Sequence, residues 1–245
     1  MDDVSQVADE IAAWLRANAL SAGAEGYVVG LSGGIDSAVT AVLCQRAMGD
    51  GVLGVLMPCG SDSEDAKLAA QVAKAFGMET VKVDLTESFQ SLVAALPPGT
   101  TDMARANIKP RLRMATLYAL GQTRGYLVAG TGNKSELAIG YFTKYGDGGV
   151  DLEPLGDLYK WQVRLLARHL GVPQPIIDRP PTAGLWAGQT DESEMGMSYD
   201  DLDSTLAAIE AGQTEDLEPT LLRKVRHMIS ASAHKRAMPP TCPLG

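Results

Sequence analysis

The segment with the sharpest chemical content is Gly30-Leu31-Ser32-Gly33-Gly34-Ile35-Asp36-Ser37. Adjacent glycines let a main chain come close to an anion. The N–H groups of such a loop, and of a helix that follows it, point at the anion and are helped by the helix dipole. Ser32 and Ser37 can add hydroxyl donors. Asp36 would be repelled by bare phosphate, but it makes sense if it holds a magnesium ion that the phosphates also contact. The string is not a Walker A loop, which requires G-x-x-x-x-G-K-[ST]. Gly130-Thr131-Gly132-Asn133-Lys134-Ser135 looks like one superficially, but Asn133 stands where the glycine before the lysine is needed. A blander reading of Ser-Gly-Gly is a tight strand-to-helix turn. The whole string, in a strand–loop–helix setting, favours a phosphate loop.

The surrounding pattern supplies that setting. Tyr27 to Leu31 is a short apolar run that reads as a buried strand, and Ser37 to Met48 reads as the helix after it. The motif recurs. Val52 to Met57, Thr80 to Leu85 and Leu127 to Ala129 read as further buried strands. Ser61 and Glu64 form a capping-box signature before a helix carrying Leu68, Val72 and Phe76. A helix with Pro110 near its start runs to Leu120, with Gly121 closing it. Strands alternating with helices imply an α/β fold, a parallel sheet with helices on both faces. Ligands of such sheets sit at the carboxyl ends of the strands. The loops at Ser32, Pro58 and Thr131 should therefore share one crevice. An amphipathic helix over Val4 to Leu20 precedes the first strand. Downstream, helices are expected at Tyr159–Leu170, Asp201–Ala211 and Leu217–Ser230, with a long polar, lid-like loop over Gly184 to Gly196.

Bulk composition narrows the function. The 245 residues suit one domain over 1–245, and 45% apolar residues suffice for a core without disulfides. Three cysteines with no C-x-x-C spacing argue against a disulfide framework or a zinc site. A net charge of −9 disfavours nucleic acid as a partner but allows a small polyanion held by a few cations. The acidic start and the absence of a long apolar run point to a cytoplasmic enzyme without a membrane partner.

Ser-Gly-Gly-x-Asp-Ser after a first strand resembles the pyrophosphate loop of the N-type ATP pyrophosphatases. Later segments resemble the NAD synthetase family within that group. They are Asn107-Ile108-Lys109-Pro110-Arg111-Leu112-Arg113-Met114, Gly130 to Glu136, Tyr141 to Gly149, Pro181-Thr182-Ala183-Gly184-Leu185-Trp186 and His234-Lys235-Arg236. The resemblance covers nearly the whole chain and implies a Rossmann-like fold of the adenine nucleotide alpha-hydrolase type. It implies magnesium ligands at Asp36 and Glu136, and ATP contacts at Gly30 to Ser37, Thr131, Lys160 and Thr182. It implies contacts to deamido-NAD at Arg111, Lys144, Asp151, His234 and Lys235, and a homodimer whose dinucleotide site both subunits build. Taken singly, Lys144, Arg111 and Lys160 would more often be solvated surface charges, and His234 to Arg236 a basic tail.

The expected chemistry is amidation. The nicotinate carboxylate attacks the α-phosphate of ATP, pyrophosphate leaves, and ammonia displaces AMP from the acyl-adenylate. Asp36 and Lys160 are the residues expected to serve the reacting groups, Lys160 by neutralising charge on the α-phosphate. The synthetase-like motifs leave no spare length for a glutaminase domain, so ammonia is expected to be used directly. The alternatives are another N-type ATP pyrophosphatase, such as a tRNA-modifying adenylating enzyme, or a non-catalytic nucleotide-binding sensor. The first would need a basic surface and usually paired reactive cysteines. The second has no need of an acid pair.

Overall fold

Four short strands and twelve helices alternate along the chain in a computed structural model, which describes residues 3–60, 63–184, 186 and 188–243. The order is α1 (Val4–Ser21), β1 (Gly26–Gly30), α2 (Ile35–Met48), β2 (Val52–Leu56), α3 (Ser63–Phe76) and β3 (Glu79–Lys82). Then come α4 (Thr86–Ala94), α5 (Asp102–Ala106), α6 (Ile108–Arg124), β4 (Tyr126–Ala129) and α7 (Lys134–Ile139). The carboxyl-terminal third adds α8 (Lys160–His169), α9 (Gln174–Ile177), α10 (Asp191–Met195), α11 (Tyr199–Ala211) and α12 (Pro219–Ala231), followed by one 3-10 turn at Ala233–Lys235.

The strands form one parallel sheet in the order β3-β2-β1-β4. β1 and β2 are buried on both sides, which explains their unbroken apolar runs, while β3 at the edge of the sheet is largely exposed. Successive residues alternate between two cores. Tyr27, Val29 and Val52 face a core made with α1, α2, α3 and α8. Val28, Leu53, Val55 and Val128 face a second core that includes Leu117 of α6 and Phe89 of α4. Chain order runs outward from β1 to β2 and β3 and then returns to its other side as β4. The carboxyl ends of β1 and β4 therefore flank the point where the winding reverses, and a crevice opens there. Among the described residues, no helix is long and apolar enough to cross a membrane.

Several expectations need correction or completion. Helix α6 does not close at Gly121. It continues to Arg124 and ends at Gly125, whose φ of 67° is the left-handed cap conformation. Gly121 is instead a contact point: a Cβ there would lie 2.9 Å from the Tyr126 carbonyl oxygen and 3.2 Å from Val28. Helix α4 was not foreseen. The stretch Gly184–Gly196 is not a loop throughout, because Asp191–Met195 is helical, capped by Thr190. The expected Ser61 capping box and Leu185 lie outside the described residues. Trp14, Trp161 and Trp186 are 44%, 39% and 44% exposed. Pro110 is the third residue of α6, where its missing N–H costs nothing because first-turn donors have no partner within a helix.

The Gly121 contact is directly testable. Gly121→Ala should lower the urea midpoint by the equivalent of about 1–3 kcal/mol, because the helix must back away from β4. An unchanged midpoint would show that the α6–β4 approach has slack.

Candidate active site

Helix α2 starts at Ile35, directly after the turn that leaves β1, so the N–H groups of its first turn have no acceptor within the helix. Gly33 makes the turn possible. Its φ is +80°, and a Cβ would sit 2.6 Å from the Asp65 carbonyl oxygen. The hydroxyls of Ser32 and Ser37 lie 3.1 Å apart, and Ser37 also donates to the Gly34 carbonyl at 2.9 Å. Two turn amides are engaged locally: Ser32 N–H donates to Ser37 Oγ and Gly34 N–H to Ser32 Oγ, both at 3.2 Å. Ser32, Gly34 and Ser37 line a cavity of about 550 Å³.

In the same cavity, α7 follows β4 and presents Glu136, while α8 presents Lys160 from its first residue. The two helices are tied together. Lys134 N–H donates to the Leu158 carbonyl at 2.8 Å, Lys160 N–H donates to Ser135 Oγ at 3.0 Å, and Ser135 in turn donates to Asp203. The Lys160 side chain then reaches inward. Its Nζ is 2.5 Å from Asp36 Oδ2 and 3.2 Å from Glu136 Oε1, and it stands 4.9 Å from the centre of the Tyr199 ring. The lysine is 1% exposed. Burial works against its charge, but the Asp36 and Glu136 carboxylates outweigh it and hold the pKa above the ordinary lysine value. Burial pushes Glu136 up, and the Asp36 and Asp191 charges add to that, while Lys160 pulls the other way.

A hydrogen-bonded chain continues outward from this ion cluster. Tyr199 Oη is 3.0 Å from both Glu136 Oε1 and Asp191 Oδ2. Tyr141 Oη lies 3.2 Å from Asp191 Oδ1 and 2.7 Å from Glu194 Oε2. The loop after β4 is held from behind by Glu153, whose Oε2 accepts the Gly132 N–H at 3.0 Å and packs where a Gly130 Cβ would be.

The structure gathers most of the sequence-derived candidates. Gly30, Leu31, Ser32, Gly34, Ile35, Asp36, Ser37, Thr131, Glu136, Lys160, Thr182 and Lys235 all line the one cavity. Gly33 lies behind the turn against α3. Arg111, Lys144 and His234 do not line the cavity and form an adjoining exposed group: Arg111 donates to the Lys144 carbonyl at 3.2 Å, and Lys144 Nζ to the His234 carbonyl at 2.5 Å. Asp151 also lies away from the cavity, beside β4. It accepts the Val128 N–H at 2.7 Å and the Tyr118 hydroxyl at 3.0 Å. Asn133, Glu153, Asp191 and Tyr199 were not singled out as site residues. Asp191 was hidden because its helix read as polar loop. Tyr199 opens a helix whose start was placed two residues late. The Asn133-x-x-Glu136 cap was legible as a helix start, but not as a contact to Asp36.

The donor set fits a magnesium ion. Asp36 and Glu136 offer hard carboxylate oxygens and already hold one cation, the Lys160 ammonium, between them. Among the described residues, no three His, Cys, Asp or Glu side chains gather as a closed metal cage. Magnesium does not require one, because it takes one or two carboxylates and completes its shell with water and phosphate.

Comparison with known proteins agrees with this geometry. A family model described as NAD synthase matches residues 7–239. The chain belongs to the NAD synthase family. It is 48% identical to an NH3-dependent NAD synthetase of Carboxydothermus hydrogenoformans, over 94% of each chain. It is 47% identical to that of Archaeoglobus fulgidus, over 96% of this chain and 95% of the relative. Among solved structures, an NMN synthetase from Francisella tularensis superposes with a TM-score of 0.92 at 34% identity, over 99% of each chain. An NH3-dependent NAD synthetase from Campylobacter jejuni, in complex with nitrate, gives 0.86 at 28% identity, over 98% of this chain and 100% of that one. For this member of the NAD synthase family, the parallel sheet and its crevice are thus a shared framework.

Glu153 gives the site a measurable pH dependence. Burial pushes its pKa from 4.5 to about 8, with the Gly132 N–H opposing. The folded state therefore keeps a proton that the unfolded chain loses above about pH 4.5. Stability should fall as pH rises from about 4.5 to about 8 and level off above, by up to a few kcal/mol. Glu153→Gln keeps an acceptor for Gly132 and removes the titration, so urea titrations across that range should give a flatter profile than the wild type. A parallel profile would assign the slope to other groups.

Proposed function

We propose that the chain uses ATP to convert the nicotinate carboxylate of deamido-NAD into an acyl-adenylate, which ammonia then amidates to give NAD and AMP. The observation that carries this reading is the meeting of three charges, Asp36, Glu136 and Lys160, beside the glycine turn after β1. A carboxylate is a poor acyl donor, and adenylation gives it a good leaving group. The turn and the first N–H groups of α2 are suited to the leaving pyrophosphate. Lys160 can leave the acid pair for the α-phosphate, where its charge offsets that of the transition state. Asp36 and Glu136 are the residues that would hold magnesium, whose contribution when bound is to neutralise phosphate charge. Thr131 and Thr182 line the cavity and suit contacts to ATP. Lys235 is suited to the acid substrate from the cavity wall, and Arg111, Lys144 and His234 from the surface beside it. In this reading residues 1–245 act as one domain and the enzyme is a cytoplasmic homodimer. Asp151 serves the substrate side only if it exchanges its present partners.

A second reading concerns the size of the acid substrate. The likeness to an NMN synthetase favours testing the mononucleotide as well. One assay decides both points. With ATP, magnesium and ammonium, the protein should release AMP and pyrophosphate in step with NAD from deamido-NAD. Turnover confined to nicotinic acid mononucleotide would replace the first reading with the second. Asp36→Asn and Glu136→Gln should each lower kcat by at least about a hundredfold, as loss of a group that acts on transition-state charge does, while circular dichroism stays unchanged. Activity near wild type in both variants would remove the acid pair from the mechanism.

A further inference from the structure

Asn133 lies between the two acids of the cavity and touches both. It is fully buried, with 0% exposure. Its Nδ2 donates to Asp36 Oδ1 at 3.0 Å across a sequence separation of 97 residues. Its Oδ1 accepts the Glu136 N–H at 3.1 Å, and its own N–H donates to Glu136 Oε2 at 3.3 Å. The orientation of the amide follows from its partners. Only the NH2 end can face a carboxylate oxygen, and only the carbonyl end can receive an N–H. A turned amide would set acceptor against acceptor and donor against donor.

The contacts divide the work of each carboxylate. Asp36 gives Oδ1 to Asn133 and turns Oδ2 to the Lys160 ammonium. Glu136 gives Oε2 to Asn133 and turns Oε1 to the same ammonium. One oxygen of each acid is therefore fixed from behind, and the other is aimed at a common cation. Without Asn133, the Asp36 carboxylate loses its tether. Departure of Lys160 toward ATP would then let two like charges separate.

We propose that Asn133 is a positioning residue that sets the spacing and aim of Asp36 and Glu136, so that one divalent cation can bridge them to the phosphates of ATP. This rests on the reading that the acid pair binds magnesium. Asn133 also caps α7, and the two roles can be separated by substitution. Ser and Thr are good helix caps, so they keep the acceptor for the Glu136 N–H, but they lack the amide that reaches Asp36.

The test compares Asn133→Ser and Asn133→Thr with the wild type and Asp36→Asn. Manganese binding to each protein saturated with α,β-methylene-ATP is measured by electron paramagnetic resonance, and thermal unfolding is measured without ligand. The expected result is manganese affinity at least about tenfold weaker in the Ser and Thr variants, the usual consequence of losing a group that orients a metal ligand. Their melting temperatures should stay within a few degrees of the wild type. Affinity within twofold of the wild type in the Ser and Thr variants, with Asp36→Asn clearly weakened, overturns the role of Asn133 alone. Loss of the fold in both cap-competent variants also overturns it, by making Asn133 a residue of structure only. Full affinity in Asp36→Asn removes the metal reading, and this inference with it.

Discussion

One buried ammonium group organises the crevice end of this protein. Lys160 is almost fully enclosed, and such a charge is tolerated only where opposite charges and hydrogen bonds surround it. Its two carboxylate partners come from α2 and α7, and the lysine itself from α8. An error in the placement of any of the three helices would leave an uncompensated charge in the interior. The cluster therefore demands accurate packing, and the Ser135, Asp203 and Leu158 contacts at the start of α7 and α8 meet that demand. A buried ion cluster is weak evidence for stability. Its worth here lies in fixing two carboxylates from different helices around one point of the cavity.

Sheet topology explains why the cluster forms at this place. The chain leaves β1 toward β2 on one side and comes back as β4 on the other, so the loops after β1 and β4 diverge around a gap. The first loop is narrow because Gly33 adopts a left-handed conformation against α3. The second approaches the Glu153 carboxylate more closely than any side chain at Gly130 would allow. Both loops feed helices at the gap: the first residues of α2 line it, while the start of α7 is closed by the Asn133 capping box and presents Glu136.

Much of this was legible in the residues. The strands read correctly to within one or two residues, except that the third was placed one residue late and carried three residues too far. β1 and β2 are buried on both faces and carry few polar interruptions, whereas the edge strand β3 is largely exposed and partly charged. The tight turn from β1 into α2 was legible because adjacent glycines follow an apolar run and precede a helix. The end of α6 was misread because Gly121 has two possible causes: a helix stop and a close contact look alike in one dimension. Only the approach of β4 shows that the second applies. Asp191 was missed for a related reason. The five-residue helix that carries it is too short to show periodicity, and tertiary contacts through Tyr199 and Tyr141 are what hold it in the site.

By itself, the sequence determined the kind of sheet, the glycine turn between β1 and α2 and the chemical types of the groups around it, because these depend on local spacing and on alternation along the chain. The tertiary structure decided which groups meet. Lys160 and Asp36 are 124 residues apart, and Asn133 and Asp36 are 97 apart. No local propensity encodes such pairings. They follow from the order in which parallel strands stack, and from the penalty on any buried charge or amide left without a partner.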